Sequence, residues 1–249
     1  MDKNKYQKAM ENVHISKEAQ QKILEKSVKF NKKERINTMS KKKITLIAAA
    51  AVMVLGITAF AASGIISSWN SSSSSVSDYT ELPTAEQCIK DVGYAPILIE
   101  QFENGYTFND GSIVSNSLED ESGKSVEKFK SFTFRYTKDD NELLLSQEKF
   151  NSEMENYGEI ISSDKGVDIY YNEYTNKLVP PDYELTEEDK KAEANGDLVF
   201  SYGSAEVTVQ NVKVLSWKVG DLHCSITAID SPLSSDELVE MAYEIIQNK

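Results

Sequence analysis

The sequence predicts an α+β protein in three parts: a cytoplasmic helical head, one transmembrane helix, and an extracellular antiparallel sheet with flanking helices. Three observations lead to this prediction. An uncharged apolar run interrupts the chain, the net charge changes sign across that run, and segments with alternating polar and apolar residues follow it. The predicted parts are a basic helical head at 1–43, a transmembrane helix at 44–66, a serine-rich linker at 67–81, and an α+β domain at 82–249.

The apolar run at 44–66 contains no Asp, Glu, Lys or Arg. At about 1.5 Å per residue, a helix of this length covers the roughly 30 Å hydrocarbon core of a bilayer. Lys41, Lys42 and Lys43 directly precede the run, and lysines beside a span stay in the cytoplasm. The sequence thus predicts a single-pass protein of the cell membrane, in contact with membrane lipid, with a cytoplasmic N-terminus and an extracellular C-terminal domain.

A second interpretation of the same run is a secretory signal peptide. Met39 stands just before the three lysines, and Ala59-Phe60-Ala61 has the small-x-small pattern of a cleavage site. Under this interpretation the domain that follows is secreted. The apolar run continues past Ala61 to Ile66, which favours an uncleaved anchor.

The charge of the chain differs sharply between its two ends. Residues 1–43 hold 13 Lys and Arg against 5 Asp and Glu, a net charge of +8, whereas residues 67–249 hold 14 against 35, a net charge of −21. Because nucleic acid is a polyanion, so acidic a domain excludes it as a partner. The same charge favours either cationic peptides or no charged partner at all.

The head has the apolar spacing of amphipathic helices and contains no proline or glycine. One interpretation is a docking surface for a cytoplasmic protein, and the other is a basic segment that lies on anionic lipid. The candidate partner face consists of Tyr6, Met10, Val13, Ile23 and Leu24.

Two capping boxes predict the helices that flank the sheet. Thr84 and Gln87 open the first helix, and Gly93 ends it. Ser234 and Glu237 open the last helix, whose buried stripe is predicted as Leu238, Met241, Ala242 and Ile245.

Strand-like segments fill the region between these helices, and Asp/Asn or Gly turns separate several of them. An acidic insert at 179–196 interrupts the series, and its Pro180-Pro181 pair is unsuited to a central strand. The predicted strands are 112–118, 126–137, 142–147, 159–163, 167–174, 198–202, 205–210, 212–217 and 222–229.

Three stretches of the domain resemble a family of Gram-positive bacterial domains of unknown function, numbered four-three-six-seven. They are TAEQCIKDVGYAPILIEQFENGY at 84–106, LVFSYGS at 198–204 and VLSWKVGDLHCSITAIDSPLSSDELVEMAYEII at 214–246. The resemblance implies a "Gly-Tyr" opening, a run of strands, a Trp-containing hairpin and a capped C-terminal helix.

The head and the apolar run are similar to those of anti-sigma-factor-like single-pass proteins of the same bacteria. This resemblance implies a regulatory protein with a cytoplasmic partner such as a sigma factor. The zinc-binding His/Cys signature of many anti-sigma domains is absent, because the head has His14 and no cysteine. The residues that match the pattern are Tyr6, Ala9, Ile15, Ser16, Ile23 and Leu24.

The sequence predicts no catalytic, cofactor or metal site. Its two histidines, His14 and His223, fall on opposite sides of the predicted span, and no serine sits in a Gly-x-Ser-x-Gly elbow. Cys88 and Cys224 both fall in the predicted domain and leave two alternatives. They form a disulfide, which an extracellular location allows, or they stay as buried free thiols that pack as small apolar side chains.

The expected function is therefore non-enzymatic: an envelope sensor or regulatory, anti-sigma-like protein. The alternative is a membrane-tethered extracellular binding module for a lipid, a peptide or a wall component.

Overall fold

The computed structural model of this protein describes residues 68–74, 76–120, 122, 124–149, 158–164, 166–180, 182–195, 197–202 and 204–248. Within these residues, nine strands form one curled sheet with three short helices. The helices are α1 (Ala85–Val92), α2 (Glu187–Asn195) and α3 (Ser235–Gln247). The strands are β1 (Ser68–Ser72), β2 (Thr107–Glu119), β3 (Ser125–Lys138), β4 (Asn141–Glu148), β5 (Glu159–Asp164), β6 (Val167–Val179), β7 (Leu198–Tyr202), β8 (Thr208–Val219) and β9 (Leu222–Ile229).

The strands lie in the order β1-β2-β3-β4-β9-β8-β6-β5, and β7 also pairs with β6. Neighbouring strands are antiparallel except for β6 and β7, which are parallel because α2 returns the chain between them. Chain neighbours β2, β3 and β4 form a meander, whereas β4 pairs with β9 from the far end of the domain. The two halves of the chain are thus joined at the centre of the sheet.

Both predicted capping boxes are confirmed. At α1, the Gln87 backbone N–H donates to Thr84 Oγ1 at 3.3 Å, and the Thr84 N–H donates to Gln87 Oε1 at 2.8 Å. At α3, Ser234 and Glu237 exchange the same pair of bonds at 3.3 and 2.8 Å. Gly93 ends α1 at a φ of 100°, a left-handed conformation that glycine adopts without a steric cost.

One face of the sheet, which we call the helix face, holds the core. α1 and α3 pack on it together with the extended segment 94–99, and α3 buries the predicted stripe completely. Alternation along β3, β4, β8 and β9 supplies the opposing side chains. They are Phe132, Phe134, Tyr136, Leu143, Leu145, Leu215, Trp217, Cys224, Ile226 and Ala228, all at most 2% exposed.

The position of α2 follows from a buried ion pair. Asp189 of α2 accepts hydrogen bonds from Lys177 Nζ at 2.7 Å and from the Tyr183 hydroxyl at 2.8 Å. The Lys177 ammonium also lies 5.1 Å from the ring centroid of Tyr183. Lys177 alternates with the helix-face residues of β6, so α2 lies on the same side of the sheet as α1 and α3.

The predicted fold class is wrong. The part of the chain that the structure describes is mainly one curled β-sheet, and its helices have only 8, 9 and 13 residues. The sheet is also not purely antiparallel, because β6 and β7 pair in parallel. The sequence pattern indicates separate hairpins, whereas in the structure the nine strands pair side by side in one sheet.

The predicted head at 1–43 and the predicted transmembrane helix at 44–66 lie outside the described residues. Among the residues that are described, no helix has the length and apolar character needed to cross a membrane. The predicted single-pass localisation and the membrane assignment are contradicted by this finding, and we do not retain them.

Part of the serine-rich segment predicted as a linker is an edge strand. β1 pairs with β2 from Ser68 opposite Glu119 to Ser72 opposite Ser115. Trp69 explains the difference from the prediction, because its ring lies 5.6 Å from the ring of Phe129 and its Nε1 donates to Asn116 Oδ1 at 2.8 Å. These contacts fix a segment whose composition is typical of a flexible chain.

Candidate binding face

The second face of the sheet, which we call the open face, is the candidate functional site. Because paired residues of neighbouring strands point to the same side, the strand register defines its members. All three helices of the described residues lie on the helix face, so no described helix covers the open face. Its members on the six inner strands include Ser112, Val114, Asn116, Ser131, Thr133, Arg135, Leu144, Ser146, Glu148, His223, Ser225, Thr227, Val214, Ser216, Lys218, Tyr170, Asn172 and Tyr174.

Glu148 is the last residue of β4, a strand near the middle of the sheet order. A cross-strand row runs through it: Val114 is opposite Ser131, Ser131 is opposite Glu148, Glu148 is opposite His223, and His223 is opposite Lys218. Directly opposite residues in an antiparallel pair have Cβ atoms about 4.5–5.5 Å apart. The register therefore places a carboxyl group and an imidazole side by side, with a hydroxyl on the other flank of the carboxyl.

The carboxyl group of Glu148 is partly buried, and within the described residues no hydrogen bond or ion pair reaches it. Burial removes water from the charged form and raises the pKa of Glu148 to about 8. Burial also lowers the pKa of His223, and the positive charge of Lys218 lowers it further. At neutral and alkaline pH, His223 is thus an uncharged neighbour of Glu148.

A hydrogen-bonded network makes one side of the open face rigid. The buried Asn116 accepts bonds from Trp69 Nε1 at 2.8 Å and from the Ser71 hydroxyl at 2.7 Å, and its Nδ2 donates to Ser131 Oγ at 2.9 Å. Asn116 is 5% exposed and Ser131 is 3% exposed. Buried polar groups that are fully paired hold one conformation. Ser131 is therefore held in place beside Glu148.

Hydroxyl groups lie on one side of the row, two positions further along the strands. Thr133 and Ser146 share a hydrogen bond at 3.1 Å. Ser225 is opposite Ser146 on one side and Ser216 on the other, so three serines from three strands lie next to one another. Hydroxyl groups both donate and accept hydrogen bonds. The face can consequently bind polar groups of either kind around a single acid.

The opposite side of β4 fixes the position of Glu148. The fully buried Gln147 points to the helix face, where its Oε1 accepts from the Ile97 N–H and its Nε2 donates to the Ile97 carbonyl, both at 2.7 Å. The Tyr94 hydroxyl donates to the Gln147 carbonyl at 2.9 Å. The Gln147 amide thus pairs with the Ile97 backbone as a residue of a neighbouring strand would. These bonds hold segment 94–99 against the end of β4.

We expect Gln147→Ala to lower the free energy of unfolding by about 2–4 kcal/mol, because it leaves both polar groups of Ile97 buried without a partner and opens a cavity. Urea unfolding followed by circular dichroism measures the change. Ser146→Ala is the matched control on the adjacent residue, and it is expected to cost less than about 1 kcal/mol because its hydroxyl faces the open side. Equal effects of the two substitutions would contradict the structural role of Gln147.

The structure places the sequence-predicted residues in different environments. Cys88 and Cys224 are both free and buried on the helix face, and burial raises the pKa of Cys88 to about 11. Burial also raises the pKa of Cys224. The candidate partner face (Tyr6, Met10, Val13, Ile23, Leu24) and the predicted topology determinants (Lys41, Lys42, Lys43) lie outside the described residues. The predictions about those residues stay predictions.

Glu148 is not among the residues singled out from the sequence. The strand predicted there ended at residue 147, whereas β4 extends to Glu148, and His223 opposite it is partly buried. Alternation along β4 would have placed Glu148 on the polar side of the sheet. Only the pairing of β4 with β9 brings it next to His223, and that pairing has no local sequence signal.

Comparison of the chain with protein-family models, with curated proteins and with solved structures found no match. The resemblances to the four-three-six-seven domains and to anti-sigma-factor-like proteins stay predictions. In the described portion, no group of three or more His, Cys, Asp and Glu residues is placed to hold a metal ion.

Proposed function

We propose that the sheet is a non-enzymatic binding module that takes an extended polar peptide on its open face. The observation that carries the proposal is the row across that face, where the partly buried carboxyl group of Glu148 has no partner among the described residues and hydroxyl groups from several strands lie on one side of it. A fold whose three described helices all pack on one side leaves such a surface for a ligand.

The chemistry of the face favours a peptide over a lipid. Serine, threonine, glutamate and histidine predominate on β4 and β9 of this face, with Leu144 among them, whereas most of the large apolar side chains of the same two strands are buried on the helix face. A peptide backbone offers donors and acceptors in alternation, which matches hydroxyl groups that can play either role. The regulatory role predicted from the head depends on residues outside the described part and stays a prediction.

Calorimetric titration of the full-length chain with capped seven-residue peptides of acidic, neutral polar and basic composition tests the proposal. We expect at least one class to bind, and we expect Ser225→Trp to weaken that binding at least tenfold because the indole fills the centre of the open face. Glu240→Trp places the same side chain on the exposed side of α3 and should leave the affinity unchanged. Absence of binding by every class, or binding that Ser225→Trp does not weaken, would refute the proposed function.

A further inference from the structure

We infer that Glu148 is the anchor for a cationic group of the ligand, specifically the side-chain ammonium of a lysine in a bound peptide. This inference rests on the proposed function and adds the charge of the ligand to it. Three observations support it. Glu148 lies on the open face at the end of β4, its carboxyl group has no partner among the described residues, and the hydroxyl of Ser146 lies two positions along the same strand.

The missing partner distinguishes Glu148 from other acids of the domain. A carboxylate that is withdrawn from water without a counter-ion is costly, so partly buried acids are normally paired. Two other partly buried acids follow this rule: Asp110 pairs with Arg135, and Asp189 pairs with Lys177. Glu148 lies one residue from Lys149, yet that lysine is directed to Asp221.

The nearby basic groups do not neutralise Glu148. Arg135, on the same face, is shared between Asp110 at 3.6 Å and Glu142 at 3.5 Å. His223 loses its charge early because burial and Lys218 both lower its pKa. Lys218 lies one strand further along the row and is exposed. A ligand cation therefore fits best on the side of Glu148 that faces β3, away from Lys218.

An ammonium group matches the chemistry of that side. It carries three donors, and the structure offers the carboxyl group of Glu148 together with the partly exposed hydroxyl of Ser146, two positions along β4. The net charge of −21 over residues 67–249 attracts cations to the domain as a whole. An acidic peptide meets repulsion both from the domain and from Glu148.

Binding of a cation should also release a proton. Burial raises the pKa of Glu148 to about 8, so the free carboxyl group is mostly protonated at neutral pH, and an ammonium group binds best to its ionised form. The affinity should rise about 25-fold between pH 6.5 and pH 8.5, as the ionised fraction does for a single group of this pKa. His223, Lys218 and Arg135 are the other charged or titratable groups on the surrounding open face, and burial together with Lys218 lowers the pKa of His223. Tyr94 and Cys224 interact with Glu148 from the helix face, and burial raises the pKa of both.

The test uses the full-length chain and two capped pentapeptides, Gly-Ser-Lys-Ser-Gly and the same peptide with norleucine in place of lysine. At pH 8.5 we expect the lysine peptide to bind at least tenfold more tightly than the norleucine peptide, and this preference to shrink at pH 6.5. Glu148→Gln should abolish the preference. Glu240→Gln, which removes the same charge from the exposed side of α3, should retain it.

The outcomes separate this inference from the proposed function. Equal binding of the two peptides, weakened by Ser225→Trp, would overturn the anchoring role of Glu148 and leave the open face as a peptide site. A lysine preference that survives in Glu148→Gln would also overturn it. Failure of both peptides to bind, while another peptide class binds at the open face, would show that the ligand is not cationic.

Discussion

Glu148→Gln is expected to stabilise the fold by about 2–3 kcal/mol at pH 8.5 and to have little effect at pH 5. The folded-state pKa of Glu148, about 8, lies above its ordinary value of 4.5, so the folded protein disfavours the ionised form. The resulting loss of stability is absent below pH 4.5, grows as the pH rises towards 8, and is complete above it. A full shift of this size corresponds to roughly 4–5 kcal/mol, and partial solvent exposure reduces the expected figure.

Urea unfolding of the full-length chain at the two pH values measures this effect. Glu240→Gln is the matched control, because it removes an exposed carboxylate and should change the free energy of unfolding by less than about 0.5 kcal/mol at either pH. If the two substitutions change the free energy of unfolding equally at pH 8.5, the Glu148 carboxyl group is well solvated in the folded protein and its pKa is not raised by burial.

The stability of Glu148→Gln bears on function when it is measured together with peptide binding. A residue that lowers stability and has no structural partner is typical of a binding site, where a ligand supplies the missing interaction. We therefore expect Glu148→Gln to be more stable and to lose the lysine preference. The two measurements together separate a ligand anchor from an acid that serves only the fold.

The sequence predicted the local features of the domain and missed those that depend on distant pairing. Thr84 with Gln87 and Ser234 with Glu237 form their capping boxes within four residues, so the pattern alone identifies them. The strand predicted at 222–229 has the observed bounds because alternation and a flanking turn define it.

Features that join separate parts of the chain have no such signal. The pairing of β4 with β9 joins residues about eighty positions apart, and it creates the Glu148–His223 neighbourhood. The parallel contact of β6 with β7 depends on α2, which is fixed by the Lys177–Asp189 ion pair and not by a strong apolar stripe. Composition suggested a flexible linker at β1, because the contacts of Trp69 with β2 and β3 appear only once the sheet has formed.

Ending the chain after Ser231 is expected to abolish cooperative folding of the sheet, because it removes α3 and exposes the helix face. Leu238, Met241 and Ile245 are each 0% exposed, and burial of such side chains contributes about 1.5–3 kcal/mol apiece. The combined loss of roughly 5–9 kcal/mol is comparable to the whole stability of a typical domain, about 5–15 kcal/mol. The Glu244 carboxylate, which accepts from the Glu103 N–H at 3.0 Å, is lost as well.

Thermal unfolding followed by circular dichroism measures this result against a chain that ends after Asn248. That control keeps all of α3 and its C-cap residue, so its melting temperature should match that of the intact chain. The shorter chain should show no cooperative transition, because Trp217 and Leu215 of β8 would face water along with the rest of the helix face. A cooperative transition at the original temperature would mean that α3 does not complete the core. In that case the helix face, and not only the open face, would have to be considered as a binding surface.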